Sequence, residues 1–156
     1  MAIARSLQEF MTKHHVAYKV IPHRRTASST ETAAAAHVPG DRLAKSVLLT
    51  DEKGFIMAVL PATHHIDLGV LKRQLHRSVG LATEHELREL FLDCEPGAIP
   101  PVGAAYGLET VIDDSLSTQG DVYFECGDHE ELIQVSGEQF QELFAGSRQC
   151  HFSHHV

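Results

Sequence analysis

Leu43-Ala44-Lys45-Ser46-Val47-Leu48-Leu49-Thr50-Asp51-Glu52-Lys53-Gly54-Phe55-Ile56-Met57-Ala58-Val59-Leu60 is the stretch that decides the fold. Two runs rich in β-branched and aliphatic residues flank a polar turn containing glycine, so residues 43–50 and 55–60 read as a β-hairpin. Upstream, Leu7, Phe10 and Met11 recur at helical spacing, and residues 4–15 read as an amphipathic helix. Ala17 to Ile21 reads as a strand ended by Pro22. Ala33 to Ala36 follows a cap at Ser28 or Ser29, and Val38-Pro39-Gly40-Asp41 stops that helix.

Downstream, Asp67 caps a helix carrying Leu68, Val70, Leu71 and Leu75. Thr83 with Glu86 forms a capping box ahead of Leu87, Leu90 and Phe91. Cys94 to Gly103 holds three prolines and reads as a rigid loop. Residues 110–112, 121–126 and 132–135 are short strands, and 137–145 a closing helix. The polar, His-rich end, 146–156, reads as a loose tail beyond a domain of residues 1–145. Strands and helices interleave irregularly. The expected architecture is therefore α+β, a single compact domain with a mixed β-sheet surrounded by helices.

The chain has 156 residues and a formal charge of −8. Residues 1–80 hold 11 Lys+Arg against 6 Asp+Glu, a formal +5, and residues 81–156 hold 2 against 15, a formal −13. Attraction to nucleic acid would have to be local, on a face built from the first half. The apolar runs are far too short to cross a bilayer, and the start, Met1 to Ser6, does not read as a secretory signal. Three cysteines without a CxxC pair indicate neither a disulfide framework nor a zinc ribbon, so a cytoplasmic protein is expected.

Several residues carry candidate chemistry. Lys45 opens an apolar strand, where desolvation sharpens its pull on an anion; the alternative is a snorkelling lysine at a strand end. In Gly97-Ala98-Ile99-Pro100-Pro101-Val102-Gly103 glycine lets a ligand approach the backbone, and N–H groups from Gly97, Ala98 or Ile99 would meet an oxyanion. The alternative is a stiff connector. His129 lies in a turn before a strand. Arg24, Arg25, Lys72, Arg73 and Arg77 would form either a phosphate-binding rim or a solvated face. Twelve histidines raise metal binding, but adjacent pairs such as His64-His65 diverge and no HExxH occurs, so neither a metal nor another cofactor is expected.

In this order the pieces resemble the YbaK/EbsC family of prolyl-tRNA-synthetase-associated editing domains. They are His23 and Thr26, Thr32 to Ala35, Ala44 to Leu49, Val59 to Ala62, Leu81 to Glu84, the GxxxP of Gly97 and Pro101, Asp113 to Leu116, and Gly127 to Ile133. The resemblance implies a mixed-sheet domain that deacylates mischarged tRNA, most often tRNA for proline carrying a small non-cognate residue. It implies that Lys45 holds the 3′-terminal adenosine or its phosphate, and that the Gly97 loop presents backbone groups to the aminoacyl ester. His129 matches a family histidine near the substrate, and His23, Thr26, Ser46, Ala98, Ile99 and Pro101 fall at the substrate. The partners implied are the acceptor stem and 3′ end of aminoacyl-tRNA, with a synthetase as a further one. Ser46 stands where some relatives have threonine, and Pro100 doubles the loop's proline. A non-catalytic tRNA- or regulator-binding module on the same fold is the competing reading.

Overall fold

The computed structural model describes residues 3–26, 28–116 and 120–156; Met1 and Ala2, at the start of the segment read against a secretory signal, lie outside them. In chain order the elements are α1 (Arg5–Lys13), β1 (Lys19–Pro22), α2 (Ser29–Ala36), β2 (Leu43–Asp51), β3 (Gly54–Pro61), β4 (His64–Ile66) and α3 (Leu68–Leu75). Then follow β5 (Gly80–Leu81), α4 (Glu84–Leu90), β6 (Glu109–Asp113), β7 (Val122–Glu125), β8 (Glu131–Val135), α5 (Gly137–Leu143), β9 (Arg148–Cys150) and β10 (Ser153–His155).

The hairpin forms the centre, with Lys45 opposite Leu60 and Leu48 opposite Met57. Around it the main sheet runs β1-β8-β7-β2-β3-β6-β9, with β5 also on β2. Its ladders are mixed: β2–β7, β3–β6 and β6–β9 are parallel, and the rest are antiparallel. Because side chains alternate along a strand, the hairpin feeds a core on each face. Ala44, Leu48, Met57 and Val59 pack with Leu7 and Met11 of α1 and Phe140 and Leu143 of α5. Leu49, Ile56, Ala58 and Leu60 pack with Leu71 and Leu75 of α3. A strand covered on both faces explains why residues 55–60 are apolar without alternation.

Helix ends follow the caps in the sequence. Ser28 accepts the Glu31 N–H, Asp67 accepts the Val70 N–H, and Thr83 with Glu86 completes the capping box. The terminal segment departs from the expected loose tail. Residues 148–150 add β9 to the edge of the main sheet beside β6, and 153–155 pair with β4. The physical reason is Phe152, 1% exposed in the α3-side core, whose N–H donates to the buried Asp113 carboxylate. The His pairs meet across these short strands, His64 with His155 and His65 with His154, and not as sequence neighbours. Among the described residues no helix is long and apolar enough to cross a membrane.

Candidate active site

β2 is paired with β3 along its whole length, but its other edge is not continuous. β7 covers Leu43 and Ala44, β5 covers Leu49 and Thr50, and the Ala82 N–H donates to the Leu48 carbonyl oxygen at 3.0 Å. Among the described residues, 45–47 have no strand partner on that edge. The sheet splits at this point, and a cleft of about 380 Å³ opens. Lys45, Ser46, Val47 and Leu48 form one wall. Leu87 of α4 and Phe91 just after it form an apolar side, Gly97 and Ile99 face them from the loop, and Ser28 and Ser29 close the α2 end.

Lys45 is half-buried, and burial pushes its ammonium below the usual lysine value. Its Nζ lies 3.4 Å from the Ala62 carbonyl oxygen, a long contact that leaves donors for an incoming anion. On the opposite face of the strand, the Ser46 hydroxyl donates to the Ile99 carbonyl oxygen at 3.4 Å and ties the loop to β2. Lys45, Ser46, Gly97 and Ile99, remote in sequence, are therefore brought to one cleft.

The other expected residues sit around it. Ala98 is fully buried, and its N–H donates to the Glu95 carbonyl oxygen at 3.1 Å. It cannot then serve an oxyanion, so of the three amides proposed only those of Gly97 and Ile99 remain, and neither has a backbone partner among the described residues. Pro101 is buried behind the loop. His129 is 7% exposed and does not line the cleft; its Nε2–H donates to the Pro96 carbonyl oxygen. In this geometry it buttresses the Gly97 loop from behind. His23 is half-exposed, with its backbone N–H bonded to the Glu130 carbonyl oxygen at 2.8 Å. Thr26 is buried, hydroxyl to hydroxyl with Thr32 of α2.

The basic candidates divide. Arg24, Lys72 and Arg73 are exposed. Arg25 is paired with Glu95. Arg77 is committed elsewhere: its guanidinium grips Asp51 through Nε at 2.7 Å and Nη2 at 2.8 Å, and Nη1 reaches Glu109 at 3.2 Å. The Arg77 hydrogen bond holds the Asp51 carboxyl down at about 2. Arg77 is thus a clamp between the hairpin turn and β6.

Among the cleft residues that escaped the sequence reading is a buried carboxylate. Glu125, at the end of β7, lines the cleft while only 4% exposed, and burial pushes its carboxyl up to about 7 despite an opposing hydrogen bond from Thr32. The available signal was a carboxylate between Phe124 and Cys126 in an otherwise apolar strand. Burial pushes the Cys94 and Cys126 thiols up to about 12, which leaves neither as a ready nucleophile. Among the described residues one group has metal-ligand spacing, Asp113, Asp114 and His151, with ligand atoms within 4.8 Å. It lies outside the cleft, and the Asp113 oxygens already accept from Ser115 and the Phe152 N–H.

Known proteins share this architecture. The crystal structure of a hypothetical protein, APE2540, superposes with TM-score 0.84 at 22% identity, covering 96% of this chain and 100% of that one. A structure solved for a candidate trans-editing enzyme for prolyl tRNA synthetase gives TM-score 0.81 at 24% identity, covering 97% and 96%. In sequence, a proline–tRNA ligase of Methylobacillus flagellatus is 32% identical over 99 residues, 61% of this chain and 17% of the ligase, so the chain matches only a small part of that relative. Residues 23–143 match the model of the aminoacyl-tRNA editing domain, a span that takes in the hairpin, the split and the Gly97 loop, and the chain belongs to that family.

Proposed function

We propose that the protein is a trans-editing hydrolase, cytoplasmic, that deacylates mischarged aminoacyl-tRNA, with tRNA for proline carrying a small non-cognate amino acid as its substrate. The observation that carries this reading is the meeting of Lys45 and the Gly97 loop across one half-apolar cleft. An aminoacyl ester is already activated, so positioning accounts for much of the catalysis. Lys45 holds the anionic adenosine end. The Gly97 and Ile99 amides receive the oxyanion that develops as water attacks. The apolar wall selects the aminoacyl side chain by size, and one methylene is worth only about 1–3 kcal/mol there. The acceptor stem lies against the protein surface, and a synthetase is a further partner.

A panel of mischarged tRNAs tests this. Hydrolysis of alanyl-, cysteinyl- or seryl-tRNA for proline, with the prolyl form spared, is expected. The rate is expected to survive prolonged chelation, because the chemistry assigned to the cleft uses amides and an ammonium and no metal ligand. Tight tRNA binding with no hydrolysis of any member would instead establish the non-catalytic binding module. Loss of activity on chelation, restored by zinc, would overturn the metal-free mechanism.

Charge reversal sorts the basic residues. Lys72→Glu with Arg73→Glu, both exposed on α3, is expected to raise KM for charged tRNA and flatten its salt dependence with kcat nearly intact. Arg77→Glu is expected to act differently, lowering the melting temperature by leaving Asp51 unpaired beside a new carboxylate. An unchanged KM in the α3 double variant would remove that helix from the tRNA face.

A further inference from the structure

The parallel ladder of β2 and β7 pairs Leu43 with Tyr123 and Ala44 with Phe124, and there it ends. Continued by one rung, it would set Lys45 beside Glu125. The strands part at that rung instead, and both residues line the cleft that results. Phe124 and Ala44 point together into the α1-side core, so the alternation of side chains sends Lys45 and Glu125 to the other face, beneath α2. One ammonium and one carboxyl thus flank the split.

They do not satisfy each other. Lys45 reaches the Ala62 carbonyl oxygen, and no ion pair joins it to Glu125. Glu125 is 4% exposed, and its Oε2 has no hydrogen-bond partner among the described residues. An unpaired buried carboxyl costs stability, and a neutral side chain of the same shape would remove that cost. A ligand that brings its own cation would also remove it. The other carboxylate at the cleft, Glu84, is exposed and solvated at the start of α4.

An aminoacylated 3′ end has two charged features, a phosphate and the α-ammonium of the amino acid. Lys45 complements the first. We propose that Glu125 receives the α-ammonium of the aminoacyl group through its unpartnered oxygen, making the cleft selective for esters whose amino group is free. This assignment rests on the deacylase reading of the same cleft.

The test compares alanyl-tRNA for proline with its N-acetylated form, which lacks the cation and carries an added acetyl group, so the loss of preference in Glu125→Gln is what separates charge from bulk. Wild-type protein is expected to prefer the free amine by about tenfold or more in kcat/KM, the scale of one charge-assisted hydrogen bond. Glu125→Gln is expected to lose most of that preference, chiefly through a higher KM for the free-amine substrate. Calorimetry with 3′-alanylamino-3′-deoxyadenosine and its N-acetyl form, joined by an amide in place of the ester, repeats the comparison without turnover.

Absence of any preference in wild type overturns the proposal, and so does a Glu125→Gln variant that keeps it. An equal fall in kcat on both substrates also overturns it, since Glu125 would then serve the water or the fold. Loss of the preference in Glu84→Gln but not in Glu125→Gln reassigns the role to the rim. If Glu125→Gln does not fold, Glu125→Asp and the wild-type comparison decide. Tighter binding of the free-amine amide with no hydrolysis of any aminoacyl-tRNA would refute the deacylase reading and leave Glu125 in place. Hydrolysis indifferent to acetylation would do the reverse.

Discussion

Lys45→Ala is expected to slow aminoacyl-tRNA deacylation by roughly tenfold to a hundredfold, the worth of a charge-assisted hydrogen bond of about 1.5–3 kcal/mol. The half-buried position puts the ammonium at the high end of that range, because it is partly stripped of water before the substrate arrives. The fold is expected to survive. Among the described residues the only partner the side chain gives up is the Ala62 carbonyl oxygen, at a long 3.4 Å. Burial also lowers the Lys45 pKa, so the ammonium is lost at a lower pH than on an exposed lysine. Activity should therefore decline on the alkaline side before the ordinary lysine value of 10.5 is reached, and Lys45→Arg should move that limb upward. Single-turnover rates across pH, with melting curves alongside, measure both. A Lys45→Ala variant with wild-type turnover would sink the role given to this residue.

Local signals in the sequence translated directly into structure. The hairpin turn, the Asp67 cap and the Thr83–Glu86 capping box each involve residues within a few positions of one another, and each formed where the residue types put it. Helix and strand ends moved by one or two residues, as ends do. The cleft was half visible. Lys45 and the Gly97 loop were visible as local features, a lysine opening an apolar run and a glycine among prolines. Each also read as a snorkelling side chain or a stiff connector, and the family resemblance gave them their role. Glu125 was not visible, because its meaning depends on where the β2–β7 ladder stops, and that is set by tertiary packing. Arg77 looked like surface charge for the same reason: its partner Asp51 is in the hairpin turn, 26 positions away. The end of the chain was misread because polarity and histidines hid a single anchor, Phe152.

Gly127→Ala is expected to cost about 2–5 kcal/mol when backbone strain and overpacking are combined. Gly127 has φ +115, a conformation that side chains with a Cβ rarely adopt. A Cβ there would also stand 2.7 Å from the Ala4 Cβ and 3.1 Å from the Ala4 nitrogen. Neither can yield easily, since the Ala4 N–H donates to the Cys126 carbonyl oxygen at 2.7 Å and Ala4 is 3% exposed. Gly54 provides the control. Its φ of +126 imposes similar strain, but nothing lies within 4 Å of a Cβ built there, so Gly54→Ala should cost only the backbone part, about 1–3 kcal/mol. The two variants should also differ in function. The Gly127 N–H donates to the Ala98 carbonyl oxygen at 2.9 Å, and its own carbonyl oxygen accepts the Glu95 N–H at 2.8 Å. Those two bonds hold the loop that carries Gly97, so displacing Gly127 moves the amides proposed as oxyanion donors. Gly127→Ala should lower kcat even well below its melting temperature, whereas Gly54→Ala, at the far hairpin turn, should not. Chemical denaturation and single-turnover deacylation of both variants make the comparison. Equal stabilities would mean that Ala4 does not pack against this turn, and an unchanged kcat in Gly127→Ala would free the Gly97 loop from its control.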